Sequence, residues 1–563
     1  MPQKQKSVAE RTPKIGHVEM FDAQVGQHMH KANKLYYGDN LTIMGGMPDS
    51  SVDLIYLDPP FNSQRTYNLI YTKLTGLPLP EQEEAFCDAW QMDAEKEEMA
   101  RNMPVTLAEY GVTDDVVQFW TAWINALRNS QPRLLAYLVY MTYRLFEMRR
   151  ILKPTGSIYL HCDPAASHYI KVMMDGVFGH GNFQNEIIWK RTSAHSSSKR
   201  YGPVHDVLLF YTKSDKFTWN PQYTPHDPEY IKNFYRHVDP NGRRYRLSDL
   251  TAAGIRHGSS GEPWHGIDVS GKGNHWKFTI DNLETLDREG RIYWPKKVGG
   301  VPAYKRYLDE MKGVVLQDVW TDIPPIGAQA AERLGYPTQK PLPLLDRIIR
   351  SSSNEGDVVF DPFCGCGTAI YSAQINRRHW IGCDIAILSV QIVRDVLMAR
   401  YGLHDGEQYE ITGVPVSLEG ARDLFSRDTR QFQHWLVELA GGFCNSKHSG
   451  DLGIDGRLYF KTDKGLRSMV LSVKGGHVTP AFVRELRGTL ERESTEMAGF
   501  LCLEEPTKGM KEEAAKAGMY TLDGGKYPRL QIRTVADLLA GHVLETPARV
   551  RTLNWERQTR LAI

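Results

Sequence analysis

The stretch Val358-Val359-Phe360-Asp361-Pro362-Phe363-Cys364-Gly365-Cys366-Gly367-Thr368, followed by Trp380-Ile381-Gly382-Cys383-Asp384, decides the fold. An apolar run of strand length ends in an acid, a glycine loop follows, and Ala369 to Asn376 reads as a helix. A second strand then ends in a second acid. Strand, loop, helix and strand in this order predict a parallel α/β sheet. Such sheets bind ligands in the crevice beyond the carboxyl ends of their strands, where both acids fall.

Gly365 and Gly367 are expected to let a ligand approach the backbone closely. Asp384 follows the loop at the spacing of a ribose-binding carboxylate, about 20 residues on. The pattern therefore predicts an adenosine-containing cofactor. Gly365-Cys366-Gly367-Thr368-Ala369-Ile370 lacks the third glycine of the dinucleotide fingerprint, and no phosphate-binding G-x-x-x-x-G-K-[ST] occurs. An acid directly before the glycines suits a cationic ligand better than a pyrophosphate. S-adenosylmethionine, with an amino group, a sulfonium and no phosphate, fits that requirement.

Working outward, Lys34-Leu35-Tyr36-Tyr37 reads as a strand ending at Gly38-Asp39, with Asn40 able to cap a short helix. Val52 to Leu57 is a further strand, stopped by Asp58-Pro59-Pro60-Phe61-Asn62. The prolines stiffen this loop and leave carbonyls as acceptors, while Phe61 offers a flat apolar face. Two acceptors beside an aromatic plate suit a planar ring with an exocyclic amino group. A helix is predicted from Leu134 to Leu152, and strands at Ser157–His161, Ile187–Trp189 and Val207–Tyr211.

Asp58-Pro59-Pro60-Phe61 resembles the catalytic motif of amino-group DNA methyltransferases. Asp361 to Thr368 resembles their S-adenosylmethionine motif. Pro337-Thr338-Gln339-Lys340-Pro341 is similar to the segment that precedes that motif, and Gly38-Asp39 to the acid that contacts adenine of the cofactor. The order, catalytic motif first, resembles the circularly permuted beta class of site-specific adenine-N6/cytosine-N4 methyltransferases. The resemblance implies Asp58, Pro59, Pro60 and Phe61 as catalytic residues. It implies Asp39, Thr338, Lys340, Pro341, Asp361, Pro362, Phe363, Gly365, Gly367, Thr368 and Asp384 as cofactor-binding residues. It also implies adenine N6 as target, because cytosine-N4 relatives more often carry serine at the position of Asp58. Cytosine N4 is the alternative target.

Phe217 to Trp320 breaks the α/β pattern yet holds five of the twelve tryptophans, so a folded, irregular module is expected. Position makes it the target-recognition module. Lys190, Arg191, Lys199 and Arg200 in one basic loop, with Arg243 and Arg244, are its candidates for DNA contact.

Gln431 to Leu439 has helical periodicity, and strands follow around Asp455, at Met469–Lys474 and at Gly499–Leu503. This segment resembles a small Mrr-type restriction-endonuclease domain with a PD-(D/E)xK-like fold. The resemblance implies Asp455 and Lys474 as a Mg²⁺ site, with Ser472 where the second ligand belongs and Glu438 as a substitute. A fused restriction–modification enzyme that cleaves DNA is therefore a rival function. A non-catalytic nucleic-acid-binding protein is another.

The composition agrees with a multidomain globular protein of 563 residues. A net charge of +1 excludes a uniformly basic nucleic-acid coat but leaves room for a local basic groove. Seven scattered cysteines predict free thiols. No apolar run is long enough to span a membrane, and the polar first 34 residues lack a secretory signal. The expected organisation is a Rossmann-like methyltransferase at 34–216 and 331–401, a recognition module at 217–330, a linker at 402–430 and a nuclease-like domain at 431–544. Double-stranded DNA is the expected partner, a homodimer stays open, and the expected location is the cytoplasm.

Overall fold

The computed structural model describes residues 33–60, 92–192, 201–444 and 453–547, apart from 298, 328, 335, 337, 463, 464 and 523. The chain forms two compact units, one of residues 221–317 and one of the residues on either side.

The larger unit is built on nine strands: β1 (Lys34–Tyr37), β2 (Val52–Leu57), β3 (Leu152–Cys162), β4 (Phe183–Lys190), β5 (His205–Thr212), β6 (Val319–Trp320), β7 (Val358–Asp361), β8 (His379–Asp384) and β9 (Glu410–Thr412). Their order in the sheet is β6-β4-β5-β3-β2-β7-β8-β1-β9. The run β3-β2-β7-β8-β1-β9 is parallel throughout, whereas β5 runs antiparallel to both β3 and β4. The central strands are buried on both faces, which explains their near-continuous apolar sequences. Helix Pro132–Ile151 packs against the sheet through Leu135, Leu138, Leu145 and Met148. Its first residue is a proline, tolerated there because that N–H has no helical partner in any case.

Parallel pairing aligns the strand ends. Val359 lies opposite Leu54 and Phe360 opposite Ile55, so the loops that leave β2 and β7 rise side by side. Tyr37 lies opposite Asp384, so the loops after β1 and β8 do the same. All four loops emerge at the carboxyl edge of the sheet.

Two expected boundaries move. Residues 318–330 do not belong with the inserted module, because Val319 and Trp320 pair with Ile188 and Trp189 in the main sheet. The expected linker at 402–430 contains β9, the edge strand beside β1, and a helix at Leu418–Arg427. A three-residue strand carries too little periodicity to be read from sequence.

The smaller unit has an antiparallel sheet in which Ala303–Tyr307 pairs with Arg244–Asp249 and with Ile292–Tyr293. Leu250, Trp264, Trp276 and Leu283 form its core, with Trp264 and Trp276 packed edge to face. The tryptophans thus supply apolar area that its short strands cannot.

The C-terminal sheet contains β10 (Phe443–Cys444), β11 (Gly456–Thr462), β12 (Gly465–Lys474), β13 (Met497–Cys502) and β14 (Leu530–Thr534), in that order. The first three are antiparallel and the last three parallel. Among the described residues no helix is long and apolar enough to cross a membrane.

Candidate active site

Asp58 leaves the end of β2, and its carboxylate forms an ion pair with the ammonium of Lys340. Both side chains are mostly buried, at 15% and 11% exposure. Lys340 comes from the segment leading into helix Leu342–Ser352, with Pro341 buried at the N-cap. Gln339 braces that segment: its amide oxygen accepts from Leu334 N–H at 2.8 Å, and its amide nitrogen donates to Glu332 O at 2.6 Å. Thr338 contributes its carbonyl, which accepts from Lys340 Nζ at 3.4 Å. Pro59 is buried and Pro60 exposed; Phe61 lies outside the described residues.

Asp361 ends β7 and is 4% exposed. Burial pushes its carboxyl well above the usual carboxylate range, and the neighbouring Asp58 and Asp384 add to the rise. A hydrogen bond from Phe363 N–H, at 3.1 Å, opposes it. Asp384 ends β8 and is likewise pushed upward by burial. Its Oδ2 accepts from Gly365 N–H at 2.8 Å and its Oδ1 from Ala386 N–H at 2.9 Å. The carboxylate therefore ties the glycine loop to the start of the next helix.

The glycines of that loop are required by the backbone itself. Gly365 and Gly367 have φ of 51° and 85°, left-handed values that favour glycine. A Cβ on Gly367 would come within 2.7 Å of Val393 Cγ2, and one on Gly365 within 3.3 Å of the Tyr336 ring. The loop is thus packed against protein at these positions. Pro362 and Thr368 are buried and Phe363 is partly so. Cys364 and Cys366 are buried free thiols, and burial pushes Cys366 up to about 12.

Asp39, rather than Asn40, caps helix Asn40–Gly45, accepting from Leu41 N–H at 2.9 Å. Its other oxygen pairs with Arg144. Asn40 instead bridges a loop and a helix: its amide donates to Pro362 O at 2.8 Å, and its oxygen accepts from Arg144 Nε at 2.6 Å. Sequence reasoning missed Arg144. The available signal was the charge that ends the uncharged run Leu134–Tyr143 of the helix that follows Pro132.

A second missed group lies below Asp58. Tyr56 Oη is 3.0 Å from His161 Nδ1, and His161 Nε2 is 3.2 Å from Asp206 Oδ2. Arg191 approaches Asp206 Oδ1 at 3.3 Å. His161 and Asp206 are buried, so Arg191, expected to face DNA, is committed to a buried carboxylate.

The other expected DNA contacts divide. Lys190 and Arg244 are exposed, while Lys199 and Arg200 lie outside the described residues. Arg243 is occupied by Asp309 at 2.8 Å and Glu310 at 2.8 Å, and it stacks over Tyr307. It borders a cleft of about 450 Å³ also lined by Asp239, Arg291 and Lys305, whose charges pair within the module.

The expected Mg²⁺ site finds no support. Asp455 Oδ2 accepts from Val473 N–H at 2.6 Å, so this carboxylate braces β12. Ser472 is buried, and the Lys474 ammonium lies 5.6 Å from the Phe482 ring centre. Glu438 turns towards the methyltransferase half and accepts from Ile387 N–H at 3.1 Å. Among the described residues no group of three or more His, Cys, Asp or Glu is placed to hold a metal ion.

Residues 52–395 match the N6/N4 methyltransferase family model, described as DNA methylase. The match spans more than half of the chain, and the protein belongs to this DNA methylase family. Residues 429–533 match a model described as NACHT-associated inactive Restriction Endonuclease 1, so the cleaving alternative finds no support. The type II methyltransferase M.EcaI of Enterobacter cloacae is 35% identical over 259 residues, 46% of this chain and 56% of that protein. The type III restriction-modification enzyme StyLTI Mod subunit of Salmonella typhimurium strain LT2 is 25% identical over 403 residues, 68% of this chain and 56% of that protein. The chain thus spans little more than half the length of these curated relatives. Among solved structures, the PvuII cytosine-N4-specific DNA methyltransferase aligns over 64% of this chain and 86% of its own, with 14% identity and a TM-score of 0.30.

Proposed function

We propose that this DNA methylase transfers a methyl group from S-adenosylmethionine to the N6 amino group of an adenine flipped out of double-stranded DNA. The observation that carries the reading is the pairing of β2 with β7, which sets the Asp58 loop beside the Asp361 loop. An acceptor for an amino group therefore stands next to two buried carboxyls. These suit the cofactor: burial drives Asp361 and Asp384 upward, and a positively charged ligand relieves that cost. Asp361, Asp384, the glycine loop, Asp39 and Thr338 would hold it. When bound, it supplies an electrophilic methyl group on a sulfonium.

The chain's own residues prepare the nucleophile. The amino nitrogen of adenine is weakly nucleophilic because its lone pair is delocalised into the ring. Acceptance of its two hydrogens by Asp58 and the Pro59 carbonyl draws the nitrogen towards tetrahedral geometry and localises the lone pair. Positioning and electrostatics supply most of the acceleration, with no covalent enzyme intermediate. The base must first leave the duplex, which costs a few kcal/mol of unstacking. Phe61 is assigned the stacking platform, worth ~1–3 kcal/mol by analogy with other base–aromatic contacts. The unit at 221–317 is assigned target recognition from its place in chain order between the two loops. The name of the StyLTI subunit supports modification within a restriction–modification system.

The test is mass spectrometry of nucleosides from DNA of cells that express the protein. N6-methyladenine is the expected product. N4-methylcytosine alone would reverse the target, and no methylated base would overturn the reading.

A further inference from the structure

Helix Thr429–Leu439 opens the segment that matches the inactive nuclease model, yet it packs onto the methyltransferase. Gln431 and Glu438 are seven residues apart, two helical turns, and so share one face. Glu438 Oε2 accepts from Ile387 N–H at 3.1 Å. Ile387 begins helix Ile387–Tyr401, whose N-cap residue is Ala386 and makes no side-chain cap bond. An alanine cannot satisfy the free N–H groups of a helix start. A carboxyl oxygen from 51 residues further along the chain satisfies one of them instead.

That helix start is also the Asp384 loop. Ala386 N–H donates to Asp384 Oδ1, and Asp384 Oδ2 holds Gly365 N–H. On the other side, the Asp384 carbonyl accepts from Gly38 N–H at 3.0 Å. Gln431 lies behind Gly38, where a Cβ would meet its amide nitrogen at 3.4 Å. One helix of the C-terminal domain therefore backs both the loop after β1 and the loop after β8. Burial, with Asp384 adding to it, pushes the Glu438 carboxyl up to about 8.

We propose that the nuclease-like domain serves methyl transfer as a support for the cofactor loops, with Glu438 as a positioning residue that holds the Asp384 loop in its binding shape. This rests on the reading of Asp384 as a cofactor ligand. The inactive fold keeps a function because its first helix replaces a cap that the methyltransferase sequence lacks.

The experiment uses the full chain and the variants Glu438→Ala, Glu438→Gln and Glu438→Asp. S-adenosylmethionine binding is read by calorimetry, kinetics by methylation assay, and the loop by hydrogen exchange of residues 384–389. Glu438→Ala should weaken cofactor binding about tenfold and raise the KM for S-adenosylmethionine, with kcat changed less than about twofold. Glu438→Gln keeps an acceptor oxygen and should restore binding to within about twofold. Should Glu438→Ala fail to fold, Glu438→Asp, with its carboxylate withdrawn, is expected to show the same KM effect. Parent-like exchange at 384–389 in whichever of these two folds overturns the proposal. So does a Gln variant as impaired as Ala. Exchange is measured without cofactor, so failure of the parent to bind S-adenosylmethionine would count against the proposed function alone.

Discussion

The Lys340 ammonium forms an ion pair with the Asp58 carboxylate, joining two segments 282 residues apart. The pair sits where the loops after β2 and β7 rise together, so the one acid assigned to the base is held by a cation from the cofactor side. Removal of one partner from a mostly buried pair leaves the other charge uncompensated. Lys340→Ala should therefore lower the methyl-transfer rate by about tenfold or more, as expected for loss of a charged hydrogen bond. Lys340→Arg should recover part of it. Single-turnover methylation with saturating cofactor is the measurement.

Asp58→Ala should reduce methyl transfer by about a hundredfold or more, the scale of a lost transition-state hydrogen bond. Binding of S-adenosylmethionine should stay near that of the parent, because Asp58 is assigned to the base. Calorimetry on the folded variant checks the division of roles; a collapse of cofactor affinity would show it to be wrong.

Asp361→Ala and Asp384→Ala should each weaken S-adenosylmethionine binding by ~1–3 kcal/mol, the range for an unmade charged hydrogen bond. Asp384→Ala should cost thermal stability as well, since this carboxylate also holds Gly365 and Ala386 N–H. Titration of both variants, with melting curves alongside, separates the two effects.

Glu438 predicts a pH dependence of the cofactor-free protein. Its carboxyl is pushed from 4.5 up to about 8 by burial, with Asp384 adding to the rise. A raised folded pKa means that its protonated form is the one favoured in the fold. Its stabilisation is complete below the unfolded pKa and is lost as pH rises through the folded value. Between pH 7 and pH 9 the loss should be ~1 kcal/mol, and Glu438→Gln should flatten that part of the profile. Melting temperature against pH, for the parent and the variant without cofactor, is the measurement. Parallel profiles would refute the assignment.

Asp455→Ala should behave as a stability variant. It leaves Val473 N–H without its carboxylate partner inside a sheet, a cost of ~1–3 kcal/mol. Mg²⁺ should leave the melting temperature of the parent unchanged. A rise with Mg²⁺ that Asp455→Ala abolishes would restore the metal-site reading.

The sequence by itself determined the elements and the order of the two acid-ended loops. Apolar runs that stop at Asp58, Asp361 and Asp384 are local patterns, and a strand with both faces buried must be apolar along its length. The alanine-capped helix start, the Arg144 charge after an uncharged helical run and the His161 imidazole inside an apolar strand were visible as residues but not as partners. Only the tertiary structure decided which strands became neighbours, because pairing of β2 with β7 joins segments some 300 residues apart and depends on packing across the whole sheet. The same reason governs the charges. Lys340 reached Asp58, Arg191 turned to Asp206, Glu438 crossed to Ile387, and Asp455 bonded Val473. A side chain's type limits what it can bind, but a buried charge or donor takes the partner that folding brings within reach, and that partner is a property of three dimensions.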